Sequence, residues 1–230
     1  MKYMGSKDKL AKYILPIILG SRKEGQWYVE PFVGGGNMID KVSGNRLGSD
    51  ANHYVIEALK FIRDNVHHIP RSNVEFTEEH YKSLRVKESA IKGYAGFAFS
   101  YSGKWLGGWC RDSLGKRDYV AEAYRNAVKQ SGGLKGVELI HSNYDSLDIP
   151  ESSIIYCDPP YKDTTKYSIG FDHNRFWDWC RKQQENGHKV YISEYSAPND
   201  FNCIWEKQVN SSLTKDTGSK KAVERLFTYG

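Results

Sequence analysis

The spacing of apolar side chains divides the chain into alternating strand and helix signals. Leu10, Tyr13, Ile14, Ile17 and Ile18 recur at helical spacing behind Ser6, which predicts a helix over residues 6–19 capped by Ser6 and bent or shortened by Pro16. Trp27-Tyr28-Val29-Glu30 reads as a strand running into Pro31-Phe32-Val33-Gly34-Gly35-Gly36. A second strand ends at Leu47-Gly48-Ser49-Asp50, and a helix follows over residues 53–63. This strand-turn-helix-strand-helix order is the beginning of a doubly wound α/β sheet.

The rhythm breaks between residues 65 and 135. Helical stretches are expected at 77–89 and 119–130, with a Gly/aromatic loop or hairpin over 99–111 between them. Alternation then resumes: strands at 137–141, 153–157 and 189–193, a helix at 171–185, and a terminal hairpin from 203–209 and 222–228 around Asp216-Thr217-Gly218. The reading is one α/β domain, residues 1–64 with 136–230, carrying an inserted region at 65–135.

Composition adds little until it is localised. The 230 residues suffice for one well-cored domain, and 39% apolar with 27% charged residues is ordinary for a globular chain. No run is long enough for a membrane-spanning helix, and the first residues lack the apolar core of a signal peptide. Cys110, Cys157, Cys180 and Cys203 lie far apart, so neither a disulfide framework nor a zinc site is indicated, and His67-His68 lacks ligand spacing. These features favour a cytoplasmic protein without membrane association. Residues 64–135 carry 12 Lys/Arg against 8 Asp/Glu, nearly all of the net +5, interleaved with Tyr94, Phe97, Phe99, Tyr101, Trp105 and Trp109. That mixture suits a phosphate-tracking, base-stacking surface as well as it suits a solvated shell over an aromatic core.

Two motifs carry chemistry. Glycines 34–36 at a strand-to-helix turn let the backbone approach a ligand, and Asp50 at the end of the next strand stands where an acid binds ribose hydroxyls. The lysine of a P-loop is absent. Cys157-Asp158-Pro159-Pro160-Tyr161 closes a strongly apolar strand. Methylating an exocyclic amine requires its delocalised nitrogen to pyramidalise. A carboxylate and a rigid backbone carbonyl accepting its two N–H bonds promote this, and an aromatic ring supports a base swung out of its stack. Asp158, the Pro159 carbonyl and Tyr161 provide these groups.

Together the motifs resemble the Dam-type (D12 class) DNA adenine-N6 methyltransferase family, and the resemblance runs along nearly the whole chain. Lys2-Tyr3-Met4-Gly5-Ser6-Lys7 is similar to the family's Lys-Trp-Ala-Gly-Gly-Lys, and Val29 through Gly36 to its Val-Glu-Pro-Phe-Val-Gly-Ala-Gly. Ser142-Asn143-Tyr144-Asp145-Ser146 resembles its third cofactor motif, and Ser211-Ser212-Leu213 with Lys220 through Leu226 its terminal hairpin. The resemblance implies a Rossmann-like S-adenosylmethionine-dependent methyltransferase sheet with a C-terminal β-hairpin and a largely helical, inserted target-recognition region at 65–135. It implies S-adenosylmethionine as methyl donor with S-adenosylhomocysteine as product, no metal, and double-stranded DNA as partner. Oligomeric state stays open, with a monomer compatible; the setting is a bacterial cytosol or, for a viral protein, that of its host.

By position, Tyr3, Lys7, Asp50 and Asp158 match cofactor-contacting residues, Glu30, Phe32, Gly34 and Gly36 shape that pocket, and Asn143 and Tyr144 lie near the cofactor adenine. Asp158 and Pro159 are to bind the target amine, with Tyr161 stacking on the flipped base. Arg111 matches a base-reading arginine and Lys2 a base-touching lysine. Trp109 stands where the family has leucine, while Lys104 and Lys116 are candidate phosphate contacts. Leu106-Gly107 replaces the family's Tyr-Asn pair in a shorter segment, so recognition is expected to be relaxed or different from GATC. Cytosine-N4 methylation is the nearest alternative, because its amine poses the same problem; a silent DNA-binding module is the alternative of another class.

Overall fold

The computed structural model describes residues 1–161, 170–210 and 221–230. The expected turn at Asp216-Thr217-Gly218 and the family-like Ser211-Ser212-Leu213 and Lys220 lie outside the described residues. Seven strands, β1 (Tyr28–Glu30), β2 (Arg46–Asp50), β3 (Val137–His141), β4 (Ile154–Cys157), β5 (Lys189–Glu194), β6 (Phe201–Asn210) and β7 (Lys221–Tyr229), form one sheet in the order β3-β2-β1-β4-β5-β7-β6. The first five are parallel, and β7 runs antiparallel to both β5 and β6. This is the Rossmann-like, largely parallel sheet with a C-terminal hairpin that the sequence implies.

Central strands β1 and β4 are buried at every position, as a parallel sheet covered on both faces requires. Alternation decides which face each residue serves. Tyr28 and Tyr156 enter one core, with residues of α1 (Ala11–Leu19), α2 (His53–Asn65), α4 (Lys92–Ala98) and α5 (Tyr119–Leu134). Val29, Ile155 and Cys157 enter the other, with Phe176, Trp177 and Cys180 of α6 (His173–Glu185).

Residues between β2 and β3 contain α2, the short α3 (Glu78–Ser83), α4 and α5. Phe97 of α4 and Ala123 of α5 share the core of Leu59 on α2, so this long crossover is continuous in packing with the sheet domain. Arg46, 8% exposed, ties α5 down: its guanidinium donates to the Gly133 and Lys135 carbonyls at 2.5 and 2.6 Å and to Ile39 O at 3.3 Å. Those carbonyls sit at the negative end of α5, where a cation satisfies acceptors the helix itself cannot.

Several element ends differ from expectation. Helix α1 begins at Ala11, and Ser6 is not its cap; Ser6 Oγ accepts from Asn37 Nδ2 (2.8 Å) and Asp8 N (3.3 Å), tying the first residues to the glycine turn. Helix α3 ends at Ser83 because the apolar periodicity fails beyond it, leaving Val86 85% exposed. Helix α4 was not anticipated. Segment 99–111 is a loop, as expected, with a short 3-10 turn over Tyr101–Gly103 and one antiparallel bridge from Ser100 to Trp109. No helix among the described residues is long and apolar enough to cross a membrane.

Candidate active site at the carboxyl edge of the sheet

The strand order reverses between β1 and β4, and the carboxyl ends of two strands that diverge this way leave a crevice suited to a ligand. Both chemical motifs flank that crevice: the glycine turn leaves β1, and Asp158-Pro159-Pro160-Tyr161 leaves β4. Asp50 closes β2 alongside, and Asn143 and Tyr144 follow β3.

The glycine turn is held from three sides. Gly34 has φ +47°, and a Cβ there would lie 2.9 Å from Tyr3 Cε1, so the turn accepts no side chain where the Tyr3 ring crosses it. The main-chain nitrogen of Met1 donates to Gly35 O at 2.8 Å, and Gln130 Nε2 of α5 donates to the same oxygen at 2.9 Å. Asp50 Oδ2 accepts from Gly34 N (3.1 Å) and Oδ1 from Asn52 N (2.9 Å). Burial pushes the Asp50 carboxyl up to about 6 despite those two bonds.

Asp158 is held by a buried cation. Lys7, 7% exposed, places its ammonium 3.1 Å from Asp158 Oδ1 and 3.5 Å from Glu224 Oε2. Burial alone would lower the Lys7 pKa, but the two carboxylates outweigh it and hold the lysine above its ordinary value. Asp158 is pushed above the usual carboxylate range by burial, with Lys7 opposing and Glu224 reinforcing the shift. Tyr161 donates its hydroxyl to Glu224 Oε2 at 2.8 Å, meets Tyr195 edge to face at 4.6 Å, and has the Lys7 ammonium 4.5 Å from its ring centroid. Lys7, Asp158, Tyr161 and Glu224 thus form one buried network joining the N-terminal segment, β4 and β7.

Glu30 is 2% exposed with an Oε1 that has no hydrogen-bond partner, and burial raises its pKa well above the ordinary value. Phe32 stacks on Tyr144 at 5.3 Å, and both rings meet Phe171 and Phe176. Residues expected to line a cofactor pocket, separate in sequence, therefore converge on one edge; Asn143 is exposed there.

The expected DNA-contacting residues lie on the crossover side. Lys2 donates to Ser100 O (2.9 Å) and Cys110 Sγ (3.0 Å), so it is anchored to the 99–111 loop. Arg111 is 69% exposed by side chain yet forked on Glu78, through Nε to Oε2 at 3.0 Å and Nη2 to Oε1. Trp109 is half-buried against Tyr81 (5.6 Å) and Phe99 (6.2 Å), packing the loop rather than standing free. Lys104 and Lys116 are exposed.

Sequence reasoning missed Glu224, Tyr195 and Glu78. Glu224 had a signal: it lies in phase with Leu226, fully buried, on an alternating strand, where a carboxylate requires a cation. Glu78 offered none, because its partner is 33 residues away across a loop.

Type II methyltransferase M.FokI of Planomicrobium okeanokoites is 27% identical over 253 aligned residues, covering 91% of this chain; the chain spans only 38% of that relative's length. Among solved structures, TrmN from Thermus thermophilus superposes with a TM-score of 0.44 at 12% identity, covering 97% of this chain and 49% of its own. Residues 3–96, which carry the Tyr3–Lys7 segment, the glycine turn and Asp50, match the family model of D12 class N6 adenine-specific DNA methyltransferases.

Proposed function

We propose that the chain transfers a methyl group from S-adenosylmethionine to the exocyclic N6 of adenine in double-stranded DNA, with the base flipped from its stack and no covalent enzyme intermediate. The observation that carries this reading is Asp158, poised at the switch point directly after a fully buried strand and ion-paired with Lys7 at 3.1 Å.

The residues at the carboxyl edge fit the cofactor. Asp50 at the end of β2 is placed for ribose hydroxyls, and the orphaned Glu30 oxygen offers a buried acceptor. The Gly34 turn, with Tyr3 against it, brings backbone rather than side chain to the ligand. Phe32 and Tyr144 supply apolar ring faces for an adenine. When bound, the cofactor supplies a methyl group already activated on sulfonium.

The chain's own part is to prepare the nitrogen. Asp158 and the Pro159 carbonyl accept the two N6–H bonds, which favours a pyramidal amine and stabilises the positive charge that develops there. A new N–C bond forms as the C–S bond breaks, and the surplus amine proton passes to the Asp158 carboxylate and on to solvent. Lys7 keeps Asp158 ionised against its burial, while Glu224 retains the ammonium as Asp158 turns to the amine. Tyr161, fixed by Glu224, provides a ring against which the flipped base stacks. Residues 65–135 form the recognition region, with Lys2, Arg111 and Trp109 at its loop and Lys104 and Lys116 toward phosphates. Loss of the family's Tyr-Asn pair makes its sequence preference relaxed or different from GATC.

The test is incubation with labelled S-adenosylmethionine and unmethylated genomic DNA, followed by nucleoside mass spectrometry and sequencing of modified positions. N6-methyladenine is expected, and Asp158→Asn is expected to abolish it while DNA affinity persists. N4-methylcytosine would move the reading to the other amine; DNA binding with no methylated product would leave a silent module.

A further inference from the structure

The surface shared by α1 and β6 carries positive charge that the fold leaves unneutralised. Tyr13 of α1, 37% exposed, stacks on Trp205 of β6 with ring centroids 6.4 Å apart. The Lys207 ammonium stands 3.4 Å from the centre of the Tyr13 ring, and that of Lys12 stands 5.0 Å from it. The two cations hold the Tyr13 phenol below its ordinary pKa, Lys207 the more strongly. Lys9 is exposed just ahead of the helix. The nearby acids are engaged elsewhere: Asp8 with Lys41 at 2.9 Å, and Glu206, on the other face of β6, with Arg225 at 3.1 Å. Among the described residues no carboxylate lies within ion-pair distance of Lys9, Lys12 or Lys207, and none of the three enters the chemistry described above. Ammoniums gathered at one ring repel each other, and a bound anion relieves that repulsion.

The face adjoins the proposed active site. Because β7 is antiparallel to both β5 and β6, β6 runs in the direction of β5 and its last residues reach the carboxyl edge. Lys207 pairs in register with Glu224, so about one strand spacing, roughly 5 Å, separates it from the residue that holds Lys7 and Tyr161. Lys9 and Lys12 follow Lys7 directly along the chain. A base delivered to Asp158 brings the phosphates on either side of it toward this rim. The make-up of the face favours a polyanion over a folded protein. Its exposed ring is covered by Lys207 and its other groups are lysines, which the centres of protein interfaces avoid and phosphates attract.

We infer that this face of α1 and β6 grips the phosphate backbone of the strand whose base is extruded, outside the inserted recognition region. The inference rests on the proposed DNA methylation. It gives the duplex a second hold from the catalytic side, one that positions the strand without reading its sequence.

The experiment measures affinity of the full chain, with S-adenosylhomocysteine present, for a duplex carrying the methylated sequence, from about 50 to about 200 mM salt. Combining Lys9→Gln, Lys12→Gln and Lys207→Gln lowers the slope of log affinity against log salt by about 2 to 3, at about 0.9 per phosphate contact. Lys23→Gln, exposed ahead of β1 at the far edge of the sheet, leaves the slope unchanged. Methylphosphonates placed one at a time beside the target then neutralise single phosphates of the methylated strand. They weaken wild-type binding at positions where they no longer weaken the triple variant. A slope that the three substitutions leave unchanged, or a methylphosphonate profile common to both proteins, overturns the inference; N6-methyladenine formed on the same duplex leaves the proposed function standing. Wild-type protein that neither binds the duplex nor methylates it removes both.

Discussion

Lys7 lies within ion-pair distance of both Asp158 and Glu224, and its removal has a calculable signature. Lys7→Met keeps a side chain of similar length beside the Tyr161 ring and deletes the charge. At 3.1 and 3.5 Å, each pair is an attraction of about 5 kcal/mol at an effective dielectric near 20, part of which offsets desolvation of the ammonium. Two buried carboxylates left facing one another will not both stay ionised; one takes up a proton. That escape caps the damage at about 1.4 kcal/mol per pH unit above the ordinary carboxyl pKa, hence about 5 kcal/mol at pH 7.5 and about 1.5 kcal/mol at pH 5. The sign follows from the raised pKa of the shared proton: the variant loses stability as pH rises. Urea unfolding of wild type and variant from pH 5 to 8 measures the difference directly. Adding Glu224→Gln to Lys7→Met should recover at least about 2 kcal/mol at pH 7.5, because one carboxylate no longer repels the other. A stability difference that is flat with pH, or a second substitution that adds to the first instead of relieving it, would refute the account of this network.

Much of the fold was legible because the central strands are short, apolar and bounded by turn residues; β1, β2, β3 and β4 appear within a residue or two of where periodicity places them. The failures have local causes. Helix α4 contains Gly93 and Gly96, which weaken a helical signal in so short a segment. A Cβ on Gly93 would lie 2.8 Å from Tyr54 O, and one on Gly96 would collide with the Trp105 ring, so the glycines are there for helix packing. Tertiary contact, invisible to local pattern, overrode a weak propensity. Helix α5 likewise continues through Gly132 and Gly133 to Leu134, because the Arg46 guanidinium takes the carbonyls at its end.

At the site, the sequence supplied the ends of strands, and the sheet brought them together. Asp50, Asp158 and the glycine turn could be assigned to one edge because each closes a strand of a doubly wound sheet. What could not be assigned is what each is bonded to. Glu224 on Lys7 and Tyr161, Glu78 on Arg111, and Gln130 on the glycine turn are all long-range pairs. The glycine cluster also has a different emphasis from the one its sequence suggests: the Cβ positions of Gly34 and Gly36 are occupied by Tyr3 and Leu59 of the chain itself. The turn is glycine-rich so that the N-terminal segment and α2 can pack against it.

Two further predictions concern the cofactor edge. Gly34→Ala sets a Cβ 2.9 Å from Tyr3 Cε1 on a left-handed backbone, and calorimetry should show nucleoside affinity falling more than about tenfold; relief of part of that loss by Tyr3→Ala would locate the collision, and no loss at all would refute it. Asp50, raised by burial from 3.8 to about 6, binds its proton more tightly in the folded chain than in the unfolded one. Its contribution to stability is therefore complete below pH 4 and is lost as pH climbs through about 6, by at most about 3 kcal/mol. The ionised carboxylate is the better acceptor for ribose hydroxyls, so S-adenosylhomocysteine affinity should rise between pH 5 and 7 while stability falls. Asp50→Asn should flatten both curves; opposite pH dependences that persist in that variant would assign them to another group.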